Sequence, residues 1–323
     1  MTTVPAMTNT AEKTSTESPG TRAGIPVDEV IAAARDLAHG GRWRRAASLL
    51  DAATATGAQA RALLALAAVE VALESDWFGG TSAAAGRIST AEQICATADL
   101  DPGIRWDLAF LRLRQEYGDQ VLSAGRFGPG PAGKDHPDVL ADLRRRGDDL
   151  RKQARDDVRR GWAEMYLGLI ADNLYGDRHA APAHYEAALR VGESGDDLLA
   201  REALRHLGDH DHDRGDHQLA LERWGRATAL GARAGAVPGT LSQQILLAVL
   251  ARDTGDEAGA AMLASEIARW AAALGAVRIE AQATAFLAGA DPTAPPGTTP
   301  DRAQGAQWTQ PRIGGPEDPR DMP

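Results

Sequence analysis

The chain has 323 residues and a formal net charge of −10, a balance that argues against nucleic acid as a partner, because duplex binding draws much of its affinity from Lys and Arg at phosphates. Hydrophobic residues make up 43%, enough for a large core, yet aromatics are only 5%, so the core must be built from small side chains. Alanine is abundant and no run of alternating β-branched residues stands out, which excludes a β-sheet protein and predicts an all-α chain.

Residues 1–26 are rich in Thr, Ser and Pro and are expected to form a disordered N-terminal tail. They contain no basic segment followed by an apolar one, so no secretory signal is expected. Helix pairs are predicted at 27–56, 58–98, 103–156, 157–193, 197–234 and 237–274, with a last helix at 276–288. The most apolar stretch, 62–73, is interrupted by Glu70 and is too short to span a bilayer. With the lone Cys95 fitting a reducing compartment, a cytoplasmic protein without a membrane partner is expected. The third pair carries a Gly/Pro-rich insertion at 126–137, either a functional loop or a tolerated surface excursion. From residue 290 to 323 the chain is again rich in Pro and Gly, a second disordered tail flanking a helical domain at 27–289. Trp308 within it is either a docking anchor or a chance placement.

Five times a glycine is followed five residues later by alanine, then by apolar or aromatic residues four and seven further on. The copies are Gly41/Ala46/Leu50/Ala53, Gly79/Ala84/Ile88/Ala91, Gly176/Ala181/Tyr185/Ala188, Gly215/Ala220/Trp224/Ala227 and Gly255/Ala260/Ala264/Ile267. A small residue precedes the glycine by seven positions in four copies, as Ala34, Ala72, Gly208 and Ala248. Such near-constant spacing marks a stacked array of helical hairpins. Glycine closes the first helix in a left-handed turn, and Asp177, Asp216 and Asp256 directly after it are placed to cap the next helix. The third pair is irregular, matching only as Leu143/Gly147/Leu150.

These residues resemble the tetratricopeptide repeat, with residues 204–227 the nearest match. The longer period resembles variants in kinesin light chains and bacterial regulator sensor domains. The resemblance implies a right-handed superhelical solenoid of about six antiparallel helix pairs with a C-terminal capping helix. It also implies that the first helix of each pair lines a concave face that binds a protein or peptide. On that face it places Leu66, Val69, Leu73 and Trp77, then Asn173, then Arg205, Asp209, His212 and Asp213, and finally Arg252 and Asp253. Asn173 is expected to face inward with either Asp172 or Leu174 beside it.

Two further groups of residues offer other chemistry. His206, His210, His212 and His217 alternate with aspartates, and the four-residue spacing of the first two can hold a metal. No HExxH or CxxC accompanies them, so structural histidines, no metal site and no cofactor are expected. The acidic pairs Asp148-Asp149, Asp156-Asp157 and Asp196-Asp197 alternate with arginines and read as salt-bridged helix faces. The predicted function is a non-enzymatic protein- or peptide-binding scaffold, or alternatively a ligand-responsive sensor acting on a separate protein.

Overall fold

The computed structural model describes residues 25–96, 99–123 and 137–291. Most of the N-terminal tail, the bulk of the insertion at 126–137 and most of the tail bearing Trp308 fall outside these residues. The described residues form helices and no strand. The pairs are α1 (Val27–His39) with α2 (Trp43–Ala52), α3 (Ala58–Gly79) with α4 (Ala84–Ala96), and α5 (Pro102–Ser123) with α6 (Pro137–Gln153). Then follow α7 (Asp157–Leu169), extended by a π-helical turn (Ile170–Tyr175), with α8 (Ala181–Gly192), α9 (Asp197–Asp213) with α10 (His217–Arg233), and α11 (Val237–Asp253) with α12 (Glu257–Leu274). A single helix, α13 (Val277–Leu287), ends the stack.

Local chemistry sets the turns. Gly215 has φ of +79°, a conformation that costs a side-chain-bearing residue energy. Asp216 directly after it accepts a hydrogen bond from the Leu219 amide at 3.1 Å, capping α10. Asp156 caps α7 and Asp196 caps α9 in the same way. In the second copy the left-handed residue is Gly80 rather than Gly79. Two of the acidic pairs are thereby explained: the first aspartate is the cap, and the second sits in the first turn, where the helix dipole favours negative charge. Arg145 pairs with Asp149 as the spacing predicts, whereas Asp148 turns to Arg151 and Arg144 lies over the Tyr175 ring.

The alanine and aromatic stripe is buried in all five copies, apart from half-buried Ala53. The small residue before the turn makes room for the bulky one on the second helix. A Cβ at Gly208 would lie 2.4 Å from Nε1 of Trp224, and one at Gly168 would lie 2.6 Å from the Tyr185 ring. Gly168 stands eight residues before Gly176 instead of seven. The π-turn contains the extra residue, because i→i+5 bonding accommodates one more position than an α-helical turn. This explains why one copy departs from the spacing of the other four.

The two ends of the stack meet. Apolar side chains of α1, α2 and α3 share one buried cluster with those of α11, α12 and α13, including Ile31, Trp43 and Val71 from one end and Ile245, Ile267 and Ile279 from the other. A Cβ at Gly80 would lie 3.1 Å from Val277, and one at Gly41 would lie 3.4 Å from both Leu274 and Pro238. The array is therefore a closed ring of helical pairs, and the concave face becomes the wall of an interior chamber.

Candidate functional site

Inner faces of α1, α3, α5, α7, α9, α11 and α13, with the π-turn, enclose a chamber of about 970 Å³, at the upper end of the range for small-ligand sites. One wall is aromatic and comes from α5 and α7. Trp106 stacks on Phe110 at 5.1 Å, Phe110 meets Tyr166 edge-on at 5.2 Å, and Tyr166 meets Tyr117 edge-on at 5.5 Å. Trp162 lies 6.5 Å from Phe110. Eight of the chain's fifteen aromatic residues line the chamber. A composition poor in aromatics thus hides a local concentration of them.

The other wall is charged and is built on α9 and the π-turn. Asp172, 3% exposed, accepts a hydrogen bond from the Tyr185 hydroxyl at 3.2 Å and from Arg178 at 3.2 Å, and lies 3.0 Å from Nε2 of His210. Arg178 also pairs with Asp213. Next to Asp172, Asn173 donates to the Tyr117 hydroxyl at 2.6 Å, which ties the charged wall to the aromatic one. The π-turn presents Asp172 and Asn173 together to the chamber while Leu174 goes into the core.

Of the residues expected on the inner face, Leu73, Trp77, Asn173, Arg205, Asp209, His212 and Asp213 line the chamber. Leu66 and Val69 do not, which corrects their placement. Both are buried with Ile88, Ala91 and Leu100, between α3 and its neighbours. Helix α3 is apolar on several faces, so its pattern does not single out the inner stripe, which instead runs through Glu70, Leu73, Glu74 and Trp77. Arg252 and Asp253 are a second correction: neither lines the chamber, and α13 covers Arg252. Arg252 lies 3.9 Å from the centre of the Phe286 ring and donates to the Ala290 carbonyl at 3.3 Å, while Asp253 lies 2.9 Å from Nε2 of His212.

Sequence reasoning missed the aromatic wall and Asp172's central role. The available signal was the pair of four-residue spacings Trp106/Phe110 and Trp162/Tyr166 on successive first helices. It went unread because the irregular third pair supplies no register.

The four clustered histidines serve separate structural tasks. His206 stacks on Tyr185 at 5.1 Å, and burial, followed by Arg205, holds it well below the usual imidazole range. His210 is held at Asp172. His212 is raised to about 9 by Asp213 and Asp253, and His217 stacks on His212 at 5.4 Å. Among the described residues no group of three His, Cys, Asp or Glu is arranged to hold a metal.

Asp209 accepts from Trp224 Nε1 at 3.2 Å, and burial pushes its carboxyl up to about 6, with nearby Arg205 opposing the shift. Folded protein therefore keeps a proton that the unfolded chain releases near pH 4, and stability falls as pH rises through the interval from about 4 to 6. Asp209→Asn, which preserves the acceptor for Trp224, should flatten that dependence and gain up to about 2 kcal/mol at pH 7. Urea denaturation across pH 4–7 reads this directly. An unchanged slope would show that Asp209 ionises like an exposed carboxylate.

No helix among the described residues is long and apolar enough to cross a membrane. No protein-family model matches the chain, and no curated protein matches it significantly. Among solved structures it is similar to one described as the crystal structure of a Rap protein complexed with competence and sporulation factor. That similarity has 11% sequence identity and a TM-score of 0.40, covering 81% of this chain and 86% of that one.

Proposed function

We propose that the protein is a non-catalytic receptor that takes a short peptide, or a ligand of similar size, into its central chamber. The observation carrying this reading is ring closure, which converts a concave face into a site walled all round, with an aromatic wall and a charged wall. Polar groups there hold one another in place: Arg159 pairs with Asp107 and Asp156, and Arg178 with Asp172 and Asp213. Such a lining favours recognition over chemistry, since no side chain in it is a nucleophile set against a base.

A related reading is a sensor acting on a separate protein. It is favoured by the apolar seam between the two ends of the ring, because a ligand touching walls from both ends would favour the closed form.

Trp77, Trp106, Trp162 and Trp224 line the chamber, so occupancy should alter intrinsic fluorescence. Screening the low-mass fraction of a cell extract should find a component that shifts this emission and raises the melting temperature. Ligand at a hundredfold excess over Kd contributes about 2.7 kcal/mol. Both effects should be lost in an Asn173→Ala/Arg205→Ala variant that melts normally on its own. If no fraction changes emission or melting, the receptor reading is wrong.

A further inference from the structure

We infer that the chamber selects a cationic ligand, an ammonium or guanidinium group carried on an apolar or aromatic body, with the cation seated at Asp209 on the charged wall and the body against the aromatic wall. This rests on the chamber being the ligand site and adds the chemical class of what enters it.

The charge inventory of the chamber is one-sided. Eleven carboxylates line it against six guanidinium groups and three imidazoles, one of which is the buried, neutral His206. The guanidinium groups are already engaged. Arg35 pairs with Glu70, Arg201 with Glu202, and Arg159 and Arg178 each with two aspartates. Arg114 donates to the Tyr166 hydroxyl at 3.1 Å, and Arg205 points to His206 Nε2 at 3.1 Å. An anionic ligand would have to displace a carboxylate from Arg35, Arg159, Arg178 or Arg201, and at Arg114 or Arg205, held only by neutral groups, it would still meet the surplus of lining carboxylates.

Asp209 is differently placed. One carboxylate oxygen is held by Trp224, while the nearest basic group to the other is His206 Nδ1 at 3.6 Å. Two more lining carboxylates, Glu74 and Asp119, are also pushed up from their ordinary range, chiefly by burial. A bound cation offsets that burial cost for whichever of them it approaches.

The aromatic wall points the same way. Its polar atoms are turned to the protein: Trp106 Nε1 donates to the Leu150 carbonyl at 2.8 Å, and Trp162 Nε1 to Asp196 at 2.9 Å. The Tyr117 hydroxyl is held by Asn173 and the Tyr166 hydroxyl by Arg114. Trp106, Phe110 and Tyr117 are almost fully buried, so the ring surface left to a ligand is that of half-buried Trp162 and Tyr166, and ring faces attract cations through the aromatic quadrupole.

The test uses the full chain and two matched probe pairs, read by fluorescence anisotropy for the dyes and by tryptophan emission for the peptides. Rhodamine 6G and fluorescein share a fused aromatic body and differ in charge. End-blocked Phe-Arg-Phe and Phe-Glu-Phe do the same for a peptide. The cationic member of at least one pair should bind about tenfold or more tightly than its anionic partner, equivalent to about 1.4 kcal/mol. Discrimination in the dye pair alone marks a small organic cation as the source, and in the peptide pair alone a basic peptide. Asp209→Asn should weaken the preferred cation about fivefold, a shift of about 1 kcal/mol, with anion binding unchanged and the melting temperature not lowered. The preference for a cation is overturned if the anions bind as well as or better than the cations in both pairs, or if Asp209→Asn leaves cation binding unchanged. If no probe binds at all, the chamber reading itself falls, and this inference with it.

Discussion

Trp224→Ala will lower the unfolding free energy by about 3–5 kcal/mol, the usual cost of emptying a fully buried aromatic site. The indole is 0% exposed, with Nε1 donating to the Arg205 carbonyl at 3.0 Å and to Asp209. Trp270→Ala, at a residue 56% exposed, should change stability by no more than about 0.5 kcal/mol. A sharper check uses Gly208. Helix propensity alone makes Gly→Ala favourable by about 1 kcal/mol, but a Cβ there would sit 2.4 Å from the indole nitrogen. Gly208→Ala should therefore destabilise the wild-type protein and stabilise the Trp224→Ala variant. Additive effects in that cycle would show that the indole is not seated on the glycine.

Asp172→Ala should also cost about 3–5 kcal/mol, because removing one member of a buried charge network leaves its partners without compensation. Tyr185, His210 and Arg178 all converge on this carboxylate. Arg178→Ala should cost less, since Asp172 keeps its contacts with Tyr185 and His210 and the other partner left behind, Asp213, is partly exposed and can hydrate. Equilibrium urea denaturation followed by circular dichroism measures both. A loss below about 1 kcal/mol for Asp172→Ala would mean that the π-turn holds its shape without the network. Replacement by asparagine should fall between wild type and alanine, since it keeps the shape of the acceptor and loses the charge.

How the site could be read depended on which helix carried it. In α9 the repeat placed Arg205, Asp209, His212 and Asp213 on the inner face, and all four line the chamber. There the helix is polar inside and small or apolar toward its partner, so periodicity separates the two faces. In α3 that contrast is missing, and Leu66 and Val69 went to the core instead. In α7 a one-residue π insertion shifted the register, which the spacing showed only as a missing small residue before Gly176. That shift is what brings Asp172 and Asn173 inside together.

The sequence alone determined the helical pairs, their tight turns and the stripe that packs each second helix on its first. Those features depend on residues a few positions apart, where backbone geometry translates spacing directly into facing side chains. Only the tertiary structure decided that the ends join, that α13 covers Arg252, and that aromatics from α5 and α7 form one wall. Ring closure results from summing small rotations between successive pairs, which no local spacing records, and the other two from how one pair packs against the next.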